Sequence, residues 1–446
     1  MIQTDTPINK KRSRLLGKNI LASFVVKGWS AVVALIMVPL TLRCLGAYQN
    51  GVWLTISSML VWIDQMDIGL GNGLRNRLAA HVAHGEMGKA RQVVSSTVAM
   101  LACIVLPILS ILLLLIGSTD VYGFLNVTRG ALPELRTALM GAVTLVCTTF
   151  VLKFISNVYM GMQLPAVSNI LMALGQTVAL AGTWLLWRTD NATFLNIVLI
   201  NSAAPLIVYI LAYPVTFYRQ FPALRPSLRL VNLRSALELG NLGIRFFWLQ
   251  VAGIVQFMTS NILISKFFTP ELVTPYQIAY RYMSLVLVVF TVVCMPFWNA
   301  TTDAFERGDV AWIRQASRRV DSFLVLVALG LVAMTAVSPW VYRVWIGADC
   351  HVPLVMTAMM AVYVLLLTVS MRYSYFLNGI GALRLQLYLT VSAVVFIPLA
   401  WLVSTLTHDI IWFMVVTCLC NVPGIVVNII QFYKILNGTA TGVWRI

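Results

Sequence analysis

Residues Val93–Gly117 have the sequence VVSSTVAMLACIVLPILSILLLLIG, a long run without a charged side chain. A run of this length can cross the roughly 30 Å hydrocarbon core of a bilayer as an α-helix. Similar apolar runs recur along the whole chain of 446 residues, of which 60% are hydrophobic and 10% are charged. Soluble domains carry about 25% charged residues, and disordered chains are poor in hydrophobic ones. The composition therefore excludes both classes and predicts an all-α integral membrane protein.

The apolar runs predict about 12 transmembrane helices, joined by short loops. Their approximate bounds are residues 19–42, 52–71, 93–117, 135–160, 167–187, 193–217, 239–265, 276–300, 321–346, 353–378, 385–406 and 411–436. The longest predicted outer loop, residues 118–134, is too short to fold as a domain of its own. Membrane-bound glycan polymerases and ligases are expected to carry sizeable outer loops, so we predict that the protein is not an enzyme.

The positions of lysine and arginine predict how the crossings are oriented. The chain has 31 Lys and Arg residues against 15 Asp and Glu, a formal net charge of +16 at pH 7. With the amino terminus inside, 20 of the cations fall in inner segments and 6 in outer loops. Cytoplasmic loops of membrane proteins collect Lys and Arg. Both termini are therefore predicted in the cytoplasm, and the positive charge, explained by topology, predicts no nucleic-acid partner.

One loop motif occurs twice, and its two copies are separated by half the length of the chain. Gly85-Glu86 is followed after four residues by Arg91-Gln92, and Gly308-Asp309 is followed at the same spacing by Arg314-Gln315. Six predicted crossings separate the two loops, which gives both halves the same topology. The motif predicts two six-helix lobes related by a parallel pseudo-two-fold repeat about an axis along the membrane normal. The alternative, that both loops are only basic connectors, explains the arginines but not the shared spacing.

The repeat divides the sequence into three predicted parts. They are a basic cytoplasmic N-terminal tail of residues 1–18, an N-terminal six-helix lobe of residues 19–228 and a C-terminal six-helix lobe of residues 229–446. The tail resembles the start of a signal peptide, but the apolar run after it is interrupted at Lys27 and lacks a small-x-small cleavage site. We therefore expect the first helix to be retained.

Several charged residues fall inside the predicted crossings. The cations are Lys27, Lys153, Arg245, Arg281 and Arg372, and the acids are Asp64 and Asp67. A charge at the centre of a bilayer costs about 2.5–3.5 kcal/mol on insertion scales and usually faces a cavity or a partner. The surplus of cations therefore needs water, a lipid headgroup or an anionic substrate to solvate it.

Four of the five cations, all except Arg281, are predicted at a similar depth. Each lies six to nine residues from the cytoplasmic end of its crossing, roughly 10 Å below the inner surface at about 1.5 Å per residue. Arg281 lies near the outer end of the eighth crossing. We predict a water-filled vestibule that binds phosphate, which suits the planar fork of Arg and the compact charge of Lys. Snorkelling of each long side chain to the headgroups is the alternative.

The two acids have two interpretations. In the first they neutralise cations, and Asp64 lies at the depth of its predicted partner Lys27. In the second Asp64 and Asp67 couple transport to protons or sodium. No cofactor or metal is predicted, because the histidines form no H-E-x-x-H pattern and the cysteines no C-x-x-C pair.

Two stretches of the first hundred residues carry a family resemblance. Asp67–Asn72, followed by Arg75 and the Gly85-Glu86 loop, resembles the end of the second helix in the polysaccharide transport family. Leu16–Asn19 and Leu45–Gly51 resemble the first helix and turn of the same proteins. These are the Wzx-type oligosaccharide-lipid flippases, which belong to the superfamily of the multidrug and toxic compound extrusion (MATE) transporters and the lipid II flippases.

The resemblance implies two six-helix lobes around a central cavity, lined chiefly by the first, second, seventh and eighth crossings. By helix position, the residues implied at the cavity are Lys27, Asp64, Asp67, Arg245 and Arg281. Lys153 and Arg372 are substrate-binding candidates from their depth alone. Trp29 is one of several tryptophans that could stack on sugars, although packing roles for tryptophan are commoner.

The resemblance and the cations together lead to a hypothesis. The protein would be a flippase that moves an undecaprenyl-diphosphate-linked oligosaccharide repeat unit, of O-antigen, capsule or exopolysaccharide, from the cytoplasmic to the periplasmic leaflet of a bacterial inner membrane by alternating access. Its partners would be the lipid-linked oligosaccharide, membrane lipids and other polysaccharide-assembly proteins. The alternative is a MATE-like ion-coupled exporter of small molecules, which for cationic drugs predicts an acidic pocket.

Overall fold

The computed structural model describes residues 7–65, 70–232, 259–347, 350–382, 385 and 392–444. Every regular element in these ranges is helical. The α-helices are α1 Pro7–Gln65, α2 Leu70–Ala83, α3 Met87–Ser118, α4 Val121–Leu125, α5 Leu135–Leu152, α6 Phe154–Gly161, α7 Pro165–Arg188, α8 Phe194–Pro214, α9 259–267, α10 Pro270–Met283, α11 Leu285–Glu306, α12 Val310–Trp345, α13 Leu354–Ile380, α14 Ser392–Thr407 and α15 Ile410–Leu436. A π-helical turn covers Val215–Gln220, and 3-10 turns cover Pro222–Leu224, Leu228–Leu230 and Gly442–Trp444.

Nine stretches of the described chain are long and apolar enough to cross a membrane. They are Val25–Ile63, Met87–Ser118, Leu135–Gly161, Pro165–Arg188, Phe194–Gln220, Pro270–Glu306, Val310–Trp345, Leu354–Ile380 and Ile410–Leu436. Val395–Thr407 is a shorter apolar helix. The prediction of an all-helical, multi-pass membrane protein is confirmed, while the count of twelve crossings stays a prediction.

The first two predicted crossings are joined by a kink in place of a loop. Val25–Ile63 has 39 residues, and at about 1.5 Å per residue it is far longer than the hydrocarbon core is thick. Its backbone leaves helical geometry at Gly46, with φ 68° and ψ 173°. Glycine adopts such a left-handed φ without a steric penalty. Gly46 therefore divides α1 within the stretch where the sequence predicted a connecting loop.

The chain forms two compact units. The first comprises Met1–Gln49 and Ile56–Gln250, and the second comprises Asn50–Thr55 and Val251–Ile446. In the first unit α8 packs along α5 and α7, and in the second α13 packs along α11, α12 and α15. The predicted lobe bounds, 19–228 and 229–446, stay a prediction.

The repeated loop has the same conformation in both halves. Gly85 and Gly308 each have a φ of 73°. The backbone amide that follows each glycine donates to the carbonyl oxygen five residues earlier. The pairs are Glu86 to His81, 2.9 Å, and Asp309 to Ala304, 2.8 Å. The shared motif in the sequence is thus a shared loop structure.

A close helix contact is repeated as well. A β-carbon added to Gly161 would lie 3.2 Å from the carbonyl oxygen of Arg75, and one added to Gly379 would lie 2.8 Å from that of Trp298. Arg75 and Trp298 have the same separation in the sequence as Gly85 and Gly308. Glycine is used at both positions because a side chain would push the two helices apart. Two basic connectors alone would not produce this matched packing.

Candidate functional site

Arg372 lies on α13 and has no exposed surface. Its Nη2 donates to Asp321 Oδ2 at 2.8 Å and to Ser317 Oγ at 2.5 Å, both on α12. The sequence analysis named Asp64 and Asp67 as the acids within the crossings and missed Asp321. Residue 321 was predicted at the end of a crossing, whereas α12 begins at Val310 and continues through Asp321.

Aromatic rings surround the same guanidinium group. Cζ of Arg372 lies 3.8 Å from the ring centroid of Tyr373, 5.2 Å from that of Phe432 and 5.9 Å from that of Phe376. Contacts of this kind stabilise a cation, most strongly where water is excluded. Arg372 thus joins α12, α13 and α15 through an ion pair and ring contacts. Its role in phosphate binding stays a prediction.

Lys27 lies on the exposed part of α1, and its orientation follows from a neighbour. Trp29 Nε1 donates to Thr177 Oγ1 on α7 at 2.9 Å, which fixes the side of α1 that meets α7. At about 100° per residue, Lys27 lies roughly 200° around the helix from Trp29. Lys27 therefore points away from α7, and its side chain is exposed.

Lys153 and Arg281 are half-buried residues at helix joints. Lys153, with φ −60° and ψ −15°, separates α5 from α6. Arg281 lies two residues before the end of α10, and its carbonyl oxygen accepts from Ser284 Oγ at 3.1 Å. Lys27 and Lys153 belong to the first unit, whereas Arg281 and Arg372 belong to the second.

Three predicted site residues cannot be placed by their side chains. Arg245 and Asp67 lie outside the described residues, and Asp64 is described only as a backbone position near the end of α1. The predicted pairing of Asp64 with Lys27 and the proposed ion coupling therefore stay predictions. In the part of the chain that is described, no group of His, Cys, Asp and Glu side chains is arranged to hold a metal ion.

The acid that sequence reasoning missed had a detectable signal. Asp309 caps α12, because its carboxylate accepts from the Trp312 amide at 2.9 Å. An aspartate before a helix is a favoured N-cap. Treating Asp309 as a cap starts the helix at Val310 and places Ser317 and Asp321, four residues apart, on one face.

The second unit also contains a cluster of neutral polar side chains that are buried or half-buried. Gln277 Nε2 donates to Asn261 Oδ1 at 2.6 Å, and Asn261 Nδ2 donates to the Leu54 carbonyl oxygen at 3.3 Å. Asn50 Nδ2 donates to Thr274 Oγ1 at 3.3 Å. Amides that bond between helices hold membrane bundles together. This cluster joins residues 50–55 to α9 and α10 without adding a charge.

Solved structures with a similar fold are membrane transporters. An inward-facing multidrug resistance MATE family transporter of the MOP superfamily is similar, with a TM-score of 0.76 and 14% identity over 92% of this chain and 96% of that one. A Vibrio cholerae MATE transporter in its bent form gives 0.57 and 14% over 95% and 98%. A MOP superfamily transporter from Pyrococcus furiosus gives 0.57 and 14% over 94% and 97%.

Sequence comparison gives no matching relative. No protein-family model matches the chain, and no curated protein sequence matches it. Identities of 14% show a shared fold and leave the activity open. The chain is a multi-pass membrane protein with the fold of the MATE transporters of the MOP superfamily.

Proposed function

We propose that the protein is a membrane transporter for an anionic, phosphate-bearing amphiphile. Its substrate would be an undecaprenyl-diphosphate-linked oligosaccharide, moved from the cytoplasmic to the periplasmic leaflet of a bacterial inner membrane. The fold supports transport in place of catalysis, since the similar solved structures are transporters. The sign of the substrate charge is argued from the side chains.

The observation that carries the proposal is an exposed cation within an apolar helix. Lys27 is exposed on α1, in the stretch Val25–Ile63 that is long and apolar enough to cross a membrane. Arg372, by contrast, is already paired with Asp321. A positive charge at Lys27 suits a diphosphate better than a cationic drug.

Lys27 is the described residue best suited to meet such a substrate. Its exposed ammonium group lies within an apolar helix, where a charge is tolerated if water or an anion solvates it. Trp29 on the same helix is 51% exposed and can stack on a sugar ring while its indole N–H bonds Thr177. Lys27 and Trp29 lie on opposite sides of α1, so the phosphate contact is assigned to Lys27 alone.

The polarity of the binding pocket differs among proteins of this fold. The Pyrococcus furiosus transporter has a pocket of reverse polarity, which suggests a different function for that protein. The fold therefore does not by itself fix the charge of a substrate. The second candidate function, an ion-coupled exporter of small molecules, is favoured by the multidrug transporter among the similar structures. For a cationic drug it would require an acidic site, to which Asp64 and Asp67 could contribute.

Reconstituted vesicles distinguish the two functions. The wild-type protein would be supplied with an undecaprenyl-diphosphate-linked oligosaccharide in one assay and with a cationic dye in another. We expect translocation of the lipid-linked sugar and no accumulation of the dye. Dye transport without movement of the lipid-linked sugar would support the exporter and contradict the proposal.

A further inference from the structure

A surface segment after α8 combines arginines with exposed apolar side chains. We call residues 218–232 the interfacial strap. Tyr218 is 56% exposed and Leu228 is 87% exposed. Its arginines are Arg219, Arg225 and Arg229, all exposed. The sequence has no acid between Asp190 and Glu238, so the strap presents a purely positive charge beside apolar groups.

The strap is held in place through its backbone. Its amides and one carbonyl oxygen bond to side chains of α3, and Gln220 Oε1 accepts from Tyr159 Oη at 2.7 Å. The three arginine side chains remain exposed. The bonds to α3 are Arg91 Nε to Arg225 O, 2.7 Å, Ser227 N to Ser95 Oγ, 3.0 Å, and Asn232 N to Ser96 Oγ, 2.9 Å. The side chain of Leu224, which is 1% exposed, is buried in the protein and anchors the strap. Leu228 is therefore exposed although the segment that carries it is fixed to the protein.

The side-chain chemistry of the strap matches a membrane surface. The guanidinium Cζ of Arg225 lies 4.5 Å from the ring centroid of Tyr218. Tyrosine is enriched at the level of the headgroups, and arginine binds phosphate through two parallel N–H groups. A leucine beside them can enter the boundary of the acyl chains, as in helices that lie in the interface plane.

The second half of the chain repeats this arrangement with different residues. Arg314, which has the place of Arg91 in the repeated loop, donates from Nη2 to Leu436 O at 2.8 Å and to Asn437 Oδ1 at 2.7 Å. Lys434 Nζ lies 4.4 Å from the ring centroid of Trp444. In both halves, the arginine at the equivalent loop position bonds to a backbone carbonyl oxygen of a segment in which a cation lies over an aromatic ring.

We propose that the interfacial strap binds the headgroups of anionic phospholipids in the cytoplasmic leaflet. Arg219, Arg225 and Arg229 would contact lipid phosphates while Leu228 enters the acyl boundary. The arrangement recurs in both halves with different residues. This favours binding to the membrane, which surrounds both halves, over binding to a protein partner that would recognise one sequence. The proposal does not depend on what the protein transports.

Hydrogen–deuterium exchange on the full-length protein in lipid nanodiscs tests this assignment. Discs of phosphatidylcholine would be compared with discs in which the fraction of phosphatidylglycerol is raised stepwise. We expect amides of residues 225–232 to exchange more slowly in the anionic discs, with the difference shrinking at high salt. Each Arg→Gln change in the strap should raise the phosphatidylglycerol fraction needed for half protection about fivefold.

A matched triple variant makes the test specific. Arg219→Gln/Arg225→Gln/Arg229→Gln should lose the lipid dependence, because the backbone bonds to α3 remain and only the charges are removed. The control, Arg129→Gln/Arg136→Gln/Arg188→Gln, changes three arginines of predicted outer loops and should respond as the wild type does. Equal exchange of the wild type in both lipids would overturn the proposal. So would a triple variant that keeps the full response, or protection that appears only when soluble protein is added.

Discussion

Nη2 of Arg372 lies 2.7 Å from Oδ1 of Asp321, and the side chains of this ion pair are 0% and 45% exposed respectively. The arginine depends on its partner, because a buried charge without a counter-ion is strongly unfavourable. The aspartate keeps part of its hydration. The pair therefore links α13 to α12, and its carboxylate lies on an exposed side of α12.

Removal of Asp321 should destabilise the protein clearly. Asp321→Asn leaves Arg372 buried without an anion, and breaking a fully buried pair costs about 3–5 kcal/mol. Because Asp321 is half exposed, we expect a smaller loss, on the order of 2 kcal/mol, measured as thermal unfolding in detergent. Asp303→Asn is the matched control, since its pair with Arg307 is 63% and 74% exposed and such pairs contribute about 0–1 kcal/mol. Equal melting of the two variants would contradict the role assigned to the buried pair.

Gly51 should not tolerate a side chain. A β-carbon there would lie 1.8 Å from the Pro270 carbonyl oxygen, so one of the two backbones would have to move. We expect Gly51→Ala to cost more than the roughly 1–3 kcal/mol usual for overpacking. Gly28→Ala on the same helix meets nothing within 4 Å and should be neutral or stabilising by up to about 1 kcal/mol. A Gly51→Ala protein as stable as Gly28→Ala would show that the close approach is not rigid.

The repeated loops should respond equally to the same change. Gly85 and Gly308 share a φ of 73° and have open space at the β-carbon position, so alanine meets a backbone penalty alone, about 1–2 kcal/mol. Thermal unfolding of Gly85→Ala and Gly308→Ala should therefore show losses of similar size. Gly88→Ala, within α3 and also in open space, should not destabilise. A loss in only one of the two loops would argue against structural equivalence.

The loop at Gly85 should become less stable in acid. The pKa of Glu86 lies below its ordinary value of 4.5 because Lys89 donates a hydrogen bond to the carboxylate, with a second hydrogen bond from His81. A pKa that is lower in the folded than in the unfolded chain gives stability that is present above the unfolded value and is lost as the pH falls through the folded value. Amide exchange of residues 82–87, corrected for its intrinsic pH dependence, should accelerate below about pH 4.5. Glu86→Gln should remove this step, and a step that persists in the variant would assign it to another group.

Those features that depend on composition and spacing could be predicted from the sequence. The uncharged run at Val93–Gly117 is sufficient for a membrane helix, and the spacing from Gly85 to Arg91 recurs because both halves build the same loop. The kink at Gly46 was beyond this reasoning, since the fall in hydropathy at residues 43–51 does not distinguish a connecting loop from a single glycine with a left-handed φ. The partner of Arg372 was missed because Arg318 and Arg319 make the start of α12 look like a loop.

The placement of the candidate site depends on tertiary contacts. Lys27 was chosen for its charge and depth, but its direction follows only from the bond between Trp29 and Thr177. Lys153 and Arg372 have similar predicted depths, yet one lies at a helix joint and the other is enclosed by aromatic rings. The depth of a residue in the membrane, as predicted from the sequence, does not determine whether its side of the helix faces protein.

Flipping of an undecaprenyl-diphosphate-linked oligosaccharide in vesicles that contain Lys27 variants tests the central claim most directly. We predict that Lys27→Arg retains transport, that Lys27→Glu lowers the rate at least about tenfold through loss of a charged contact, and that Lys89→Glu, at a 63% exposed surface lysine, matches the wild type. Transport by Lys27→Glu at the wild-type rate would contradict the claim that a positive charge on α1 meets a phosphorylated substrate.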